Sequence, residues 1–530
     1  MPRKILTIDC ETDPFKKGRL SIKPFIWGVY DGETFSTFKR ADDVRKMLER
    51  EKFLVYAHNG GKFDYHFLTE FLNPFEPIMV INSRIAKMRI GSCEFRDSWN
   101  ILPMSQENLI GKYKVNYDIM EETERDKPEN ATEIYNRLKN DCIDLHSLVT
   151  SFINNYGHNL TLAGAAFKQW RKISGEKTPK TTPDFYKNLF PYYYGGRVQC
   201  FHLGEYNGPF EVYDMTSAYP FAMLKNHPYG DNFIVDSKLP SRDVEQCFIT
   251  LKCRSFGAFP YRSKNGLYFP SDGLVREFNI TGYEFVTADA LGLLKNVDIK
   301  TVLKFSESIN FKQYVEHFFK LKKNAEDRGD KILRNEAKLF LNGLYGKFAA
   351  NPDHYREYII MDPQYIQAAA NEGYIFNSML GKWALLKRPL PEEKQHYYNV
   401  ATAASITGAQ RAEMMKAIVN VDYPLYCDTD SIACRSPRSL NIGSGLGQWK
   451  KEMSCDYGAI AGKKLYTFHS DKGFKTASKG VHLSPKEIID ISRGQEIETS
   501  NIAPTFSIQK EPYILTRKIK MKKELQFLDR

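Results

Sequence analysis

The chain has 530 residues, of which 42% are hydrophobic and 26% charged. This excludes collagen-like, low-complexity and wholly disordered chains and leaves room for roughly three or four domains. Lys and Arg number 75 against 64 acids, a net charge of +11 that suits a polyanionic partner without identifying one, and the 31 Tyr and 35 Phe supply rings for several cores and for stacking on bases.

The N-terminus, Met-Pro-Arg-Lys-Ile-Leu-Thr-Ile-Asp, has no apolar stretch of signal-peptide length. No later run reaches the length of a membrane span. The nine cysteines are scattered, odd in number and without a C-x-x-C pair, which argues against a disulfide framework or structural zinc. The expectation is an intracellular protein of a reducing compartment, not secreted and without a membrane partner. The first 150 residues read as mixed α/β. A strand from Lys4 puts Ile5, Thr7, Asp9 and Glu11 on one face. Residues 130–153 have helical apolar spacing at Ile134, Leu138, Cys142, Leu145 and Leu148. Residues 224–305 read as strands and turns. Residues 311–349 read as one or two long helices with a polar break over Glu326-Asp327-Arg328-Gly329-Asp330. Residues 351–398, with Pro352, Pro363, Pro389 and Pro391, read as irregular. A helix over 402–419 and a short strand over 424–427 follow. The last 23 residues hold seven basic and three acidic side chains.

Two groups of acids stand out. Asp9 and Glu11 alternate on a strand, Asp64 closes the segment His-Asn-Gly-Gly-Lys-Phe-Asp, and Asp141 lies on the helix near 140. Four acids converging from separate elements suit two Mg²⁺ or Mn²⁺ ions, because hard cations take oxygen ligands. In the second group, Asp214 follows the strand-like Phe-Glu-Val-Tyr, and Asp428-Thr-Asp430 sits between apolar residues as a hairpin tip. Such a pair is costly to bury without cations. Between them, Arg334, Lys338, Asn342 and Tyr345 share one helical face, a stripe that suits a triphosphate and a base. The two glycines of Gly343-Leu-Tyr-Gly346 imply close approach to the backbone.

In this order the elements resemble the family B DNA polymerases, and within them the protein-primed group of phages, adenoviruses and linear plasmids. Asp214-Met-Thr-Ser-Ala-Tyr-Pro resembles motif A, Lys338-Leu-Phe-Leu-Asn-Gly-Leu-Tyr-Gly motif B, and Tyr426-Cys-Asp-Thr-Asp-Ser motif C. Tyr193-Tyr-Gly195-Gly196 resembles the linker between exonuclease and polymerase domains, and Lys464-Leu-Tyr466 the K-x-Y motif that contacts primer DNA. The resemblance implies an α/β multidomain fold: an RNase H-like exonuclease domain plus a right-hand polymerase with two insertions. The expected domains are a 3′–5′ exonuclease over 1–155, a palm over 156–223 and 399–478, and fingers over 306–350. A terminal-protein-region-1-like insertion is expected over 224–305, a region-2-like insertion over 351–398, and a thumb over 479–530. The long gaps between motifs A and B and between B and C provide room for the insertions.

The resemblance also implies roles. Asp214, Asp430 and Asp428, with the Met215 carbonyl, would hold two Mg²⁺ or Mn²⁺ ions for nucleotide addition. Tyr219 would pack under the sugar and exclude a 2′-hydroxyl. Lys338 and Arg334, with Lys320 as a further candidate, would hold the triphosphate of a dNTP, and Asn342 and Tyr345 would line the new base pair. Tyr193, Gly195, Gly196, Gly346, Lys464, Tyr466 and Lys479 would contact the primer-template, with the basic tail over 517–523 gripping its backbone. Asp9, Glu11, Asp64 and Asp141 would hold the ions of a proofreading exonuclease. Thr12, Asn59, Phe63 and Ser98 would position single-stranded DNA, with Lys114 assisting. A terminal protein primer is the expected partner.

Three departures from the family pattern bear on these roles. Where Tyr is usual four residues before the last exonuclease acid, this chain has Arg137, with Tyr135 two residues earlier. Either Tyr135 reaches in by a local shift, or Arg137 positions the attacking water differently, or degradation is weak. Gly343 stands where Ser is common. Gly60-Gly61 carries one extra residue, expected to be absorbed in a loop. Two alternatives are a nuclease with an inactive polymerase half, and a non-catalytic nucleic-acid-binding replication factor. The first predicts a decayed polymerase site, yet Asp214, Asp428, Asp430 and Lys338 are all present, and the second predicts lost acids in both groups, where none is lost.

Overall fold

The computed structural model describes residues 3–521 apart from 17, 111–115, 178–180 and 265. Lys114 and the tail beyond 521 lie outside the described residues. Among those residues no helix is long and apolar enough to cross a membrane. All nine cysteines are buried.

The N-terminal body is built on a mixed sheet. Its strand Lys4–Thr12 runs antiparallel to Pro24–Tyr30 and parallel to Phe53–Ala57, which pairs in parallel with Cys93–Asp97. Leu6, Ile8 and Cys10 face a core with Trp27, Val29 and Val55. The opposite face of the strand meets the long helix Pro128–Tyr156, where Thr7 Oγ1 donates to the Cys142 carbonyl at 2.7 Å. Helix and sheet approach closely here: a Cβ on Gly28 would stand 2.7 Å from Leu138. Ile134, Leu138, Cys142, Leu145 and Leu148 form the buried stripe of that helix.

This sheet does not end with the N-terminal residues. Residues 351–398, read from sequence as irregular, form three strands, Arg356–Met361, Ile375–Leu380 and Trp383–Pro389. The first pairs antiparallel with Ile78–Ile81, so that all ten strands make one sheet. The prolines did not forbid strands because they sit at element ends: Pro352 and Pro363 open short 3₁₀ turns and Pro389 closes a strand.

A second, seven-stranded antiparallel sheet runs from Gly473–Ser478 through Leu465–Ser470, Trp449–Gly462, Gly204–Met215, Ser431–Pro437 and Val421–Asp428 to Val198–Cys200. The helix Val400–Val419 packs beside it and is buried on nearly all sides, as its run of Ala, Thr, Ser and Gly allows. A four-stranded sheet holds His227–Asp236, Leu294–Ile309, Cys247–Ser255 and Val275–Thr281, followed by a helix at Gly282–Ala290. The strand Leu294–Ile309 runs past the boundary expected at 305, so this module closes at 309. The helices Lys312–Asp327 and Lys331–Gly343 form a hairpin in which the rings of Phe318 and Phe340 stack 4.9 Å apart. Within residues 479–521, the hairpin of Thr505–Ser507 and Lys510–Tyr513 reaches back to the N-terminal body: Phe506 packs on Phe63 and Phe67, and Ile508 enters its core.

One ion pair inside the protein ties three of these modules together. Arg411, on the helix Val400–Val419, and Glu284, on the helix Gly282–Ala290, are 1% and 0% exposed. Their contacts are 2.7 and 2.9 Å. Arg411 Nη1 also donates to the carbonyls of Tyr194 and Gly195 at 2.6 and 2.9 Å, and Glu284 caps its own helix through Thr281. Both charges are thus matched by partners, which burial requires. A core shared by Leu54, Tyr56, Leu145, Phe152, Phe318, Phe340, Ala403 and Ile406 packs the N-terminal body onto the helices that follow.

Candidate active sites

The first acid centre lies on the seven-stranded sheet. Asp214 sits at the end of the strand Gly204–Met215, opposite Ser431 on one side and Lys450 on the other. Asp428 ends the strand Val421–Asp428, and the chain reverses through Thr429, whose φ is +59°. The Met215 amide donates to the Asp430 carbonyl at 2.7 Å, which locks the turn against the strand carrying Asp214. The turn is also clamped from the Tyr193–Gly196 linker. Thr429 N–H donates to the Arg197 carbonyl at 2.7 Å, and a Cβ on Gly196 would lie 2.5 Å from Thr429 Oγ1. Only glycine fits there. Gly195 has open space above it, as does Gly346.

Burial and the Asp430 charge push the Asp214 pKa up to about 6, and Glu452 adds to the repulsion. Burial raises Asp430 too, with Asp428 beside it. Lys338 opposes both shifts, so its charge reaches both acids. Neither Asp214 nor Asp430 is ion-paired with a cation among the described residues. Two partly buried, mutually repelling carboxylates with no paired cation fit a divalent-ion site. Asp428 is held differently: its carboxylate accepts from Lys464 Nζ and, at 3.2 Å, from Thr429 Oγ1. Lys464 is fixed by its own amide donating to Tyr426 Oη at 2.9 Å and by the Lys479 amide donating to its carbonyl. Tyr466 stacks on Phe468 with centroids 4.4 Å apart.

The left-handed Ser217, φ +52°, starts the short helix that carries Tyr219. The Tyr219 ring stacks on Tyr345 at 4.2 Å, and Tyr193 lies close to both. The predicted continuous face from Arg334 to Tyr345 is interrupted. The helix ends at Gly343, and after Leu344, whose backbone stays in the right-handed helical region, Tyr345 opens a new short helix. Asn342 Nδ2 donates to the Lys338 carbonyl at 3.1 Å. Arg334 pairs across the turn with Glu326 at 3.0 Å. On the facing helix, Lys322 rather than Lys320 lies near the stripe. Burial lowers its pKa, and Arg334, Lys338 and Lys450 lower it further. Lys320, two residues away, is rotated about 200° around the helix. Lys322 and Lys338 stand at nearly equal distances from the turn at Gly329, a spacing that identifies facing positions in a helical hairpin.

The second centre opens into a cavity of about 500 Å³ whose lining includes Asp9, Glu11, Thr12, Asn59, Phe63 and Asp64. Ligand oxygens of Asp9, Glu11 and Asp141 lie within 4.8 Å of one another. Asp64 accepts from the Cys10 amide at 3.2 Å. Burial raises the pKa of all four acids, to about 6 for Asp64 and about 7 for Glu11. Glu11 Oε1 is buried without a hydrogen-bond partner. Buried acids facing an orphan oxygen fit a divalent cation. Gly60 and Gly61 are not a slack loop: both are buried, and a Cβ on Gly61 would stand 2.1 Å from the Ile85 carbonyl. Asn59, at φ +64°, accepts from Arg84, which also pairs with buried Asp97. Ser98 is fully buried and hydrogen-bonds the Ala57 carbonyl and His58 Nδ1.

Sequence reading missed several groups in this cavity, His58 and Tyr117 among them. His58 lines it, with its Nε2 on the Met104 carbonyl at 2.8 Å and its pKa lowered to about 4 by burial, so the ring is neutral. Its place beside Asn59 was the available signal. Tyr117 also lines it, and nothing in its sequence neighbourhood points there. Tyr135 does not reach in. It is exposed and packs edge-on against Phe35.

The raised Glu11 pKa predicts a pH dependence. A folded-state value near 7, above the ordinary 4.5, means the folded protein binds that proton more tightly. Stability therefore falls as pH rises through that interval. In a chelator, Glu11→Gln should melt with the parent near pH 4.5 and above it near pH 8, by a few kcal/mol at most. No difference near pH 8, or a reversed one, would contradict the assignment.

The family model described as DNA polymerase type B, organellar and viral, matches residues 111–424. The chain is 36% identical to the DNA-directed DNA polymerase of Enterobacteria phage PRD1, over 92% of this chain and 87% of that protein. It is 24% identical to the DNA polymerase of Streptococcus phage Cp-1, over 83% of each. Phi29 DNA polymerase complexed with primer-template DNA superposes with a TM-score of 0.76 at 18% identity, covering 98% of this chain and 100% of that one. That last likeness is one of fold.

Proposed function

This chain belongs to the organellar and viral type B DNA polymerases, in their protein-primed group, and on that premise we propose that it is a replicative polymerase that proofreads its own product. It is a DNA-directed DNA polymerase, and its fold is the expected α/β multidomain one with an exonuclease and a polymerase domain. The finer reading adds a 3′–5′ exonuclease, initiation on a terminal protein, and strand displacement. It also keeps the expected domain roles, with the first insertion extended to 309. Phi29 DNA polymerase has been solved with primer-template DNA, with single-stranded DNA and with incoming nucleotides, which supports the same partners here.

One observation carries the polymerase assignment. Asp214 and Asp430 face each other at the tip of the antiparallel sheet, and the charge of Lys338 reaches both. Divalent ions, which this family uses, would neutralise the migrating phosphate there and lower the pKa of the primer 3′-hydroxyl. Asp214, Asp430 and the Met215 carbonyl would hold them. Asp428 serves the site through Lys464, positioning that cation beside the primer strand together with Tyr466 and Lys479. Lys338, with Lys322 and Arg334, draws in the triphosphate, and Asn342 and the Tyr219–Tyr345 stack form the floor of the base-pair pocket. In the second centre, Asp9, Glu11, Asp64 and Asp141 would hold the ions of hydrolysis, while Thr12, Asn59 and Phe63 orient the strand end and Ser98 acts through His58.

The test is a 5′-labelled hairpin primer-template with purified protein and Mg²⁺, with and without dNTPs. Extension with dNTPs and shortening without them is expected. Shortening alone would replace this reading with a nuclease. Extension alone would remove the exonuclease. Tyr219→Val should relax the choice of deoxyribose over ribose by about tenfold or more, since on this reading the stacked ring would fill the space beside the 2′ position. The ratio of kcat/KM for dCTP and CTP measures it, and an unchanged ratio would remove that role.

A further inference from the structure

The exonuclease cluster contains a cation of its own. Arg137 lies one turn before Asp141 on the helix Pro128–Tyr156, with Nε 3.5 Å from Glu11 Oε1 and 3.5 Å from Asp141 Oδ2. At that separation charge attraction is strong, but the contacts are long for hydrogen bonds. Two atoms show that the arrangement is incomplete. Glu11, 6% exposed, has its Oε1 buried without a hydrogen-bond partner, and Arg137 Nη1 is buried and equally unpartnered. The guanidinium also lies 5.2 Å from the ring centroid of Tyr117, a face that offers it a second resting place. It thus stands where a cation bridging Glu11 and Asp141 would attract the same oxygens, and it has somewhere else to go.

Resting on the exonuclease reading above, we infer that Arg137 is the resident counter-cation of this cluster. It is a positioning residue that holds Glu11 and Asp141 together when no ion bridges them, and it competes with the more weakly bound of the two divalent ions. Ion entry displaces the guanidinium toward Tyr117. Degradation therefore needs a higher divalent concentration than synthesis, because among the described residues no cation pairs directly with the polymerase acids Asp214 and Asp430, where Lys338 acts only at a distance.

The test counts bound Mn²⁺ by electron paramagnetic resonance on the full chain carrying Asp214→Asn and Asp430→Asn, so that only the second centre reports. Arg137→Gln and Arg137→Tyr should tighten the weaker Mn²⁺ site by about tenfold or more, and Arg137→Lys should leave it nearly unchanged. In chains with intact Asp214 and Asp430, the Mn²⁺ concentration for half-maximal 3′-end shortening should fall in parallel, while that for extension stays put. Unchanged Mn²⁺ affinity in a folded Arg137→Gln protein overturns the proposal. So does loss of shortening in that variant with Mn²⁺ binding unaltered, which would make Arg137 a direct contact to DNA. The underlying reading fails separately: if Asp9→Ala does not reduce Mn²⁺ binding in this background, the cluster is not an ion site at all.

Discussion

An Asp430→Ala enzyme is expected to lose nucleotide addition by about a thousandfold or more while continuing to shorten 3′ ends. The substitution is a clean one because the hydrogen bonds that tie the turn to its neighbours do not use the carboxylate. Asp430 is tied to Met215 through its backbone carbonyl, and Thr429 to Arg197 through its amide. The side chain is instead a burden to the folded state, since burial and the neighbouring Asp428 raise its pKa. Removing it relieves repulsion with Asp214, so the variant should melt no lower than the parent. Single-turnover extension and dNTP-free shortening on one labelled primer measure both activities. Retained extension, or loss of both activities in a protein with parental melting, would refute the assignment of this centre.

The reciprocal variant, Asp9→Ala, should abolish shortening by a similar factor and leave extension intact. Asp9 stands among Asp64, Glu11 and Asp141, and burial followed by those charges holds its pKa well above the ordinary value. Here too, removal of a repelled carboxylate spares the fold. Leu6, Ile8 and Cys10 on the opposite face of the strand keep their core contacts. With dNTPs present, mismatched primer ends should be extended rather than trimmed. Shortening that persists in Asp9→Ala would move hydrolysis elsewhere on the chain. The two variants together separate a polymerase with two centres from one with a shared site.

Much of both centres was legible because their acids obey short-range rules. Strand alternation aligned Asp9 with Glu11, and a hairpin between apolar runs put Asp428 and Asp430 at its tip. Asp141 followed from helical periodicity. What escaped was set by contacts between distant segments. Tyr117 meets Arg137 only because a short 3₁₀ turn packs beside the long helix. Lys322 was passed over for Lys320 because the facing of the two helices depends on their packing. The single stripe from Arg334 to Tyr345 assumed an unbroken helix, whereas a new short helix opens at Tyr345, whose ring stacks on Tyr219. The strands over 351–398 were hidden by prolines at their margins, and their partner at Ile78–Ile81 is remote in sequence.

The ladder joining Arg356–Tyr358 to Ile78–Val80 sits on the sheet that carries Asp9 and Glu11, yet the chain on either side of it leads into the helices Lys331–Gly343 and Val400–Val419. With the core that packs Leu54 and Tyr56 against Phe318 and Phe340, this makes one stiff frame of the two centres. Swinging one body against the other would tear a sheet and open a core together. On the proposed reading, the primer end commutes between fixed stations, and the moving part is the DNA. The toll for each trip is the fraying of its last base pairs. Switching to degradation should therefore be faster from A·T-rich or mismatched ends than from G·C-rich ones, at a frequency that follows duplex melting rather than any hinge in the protein.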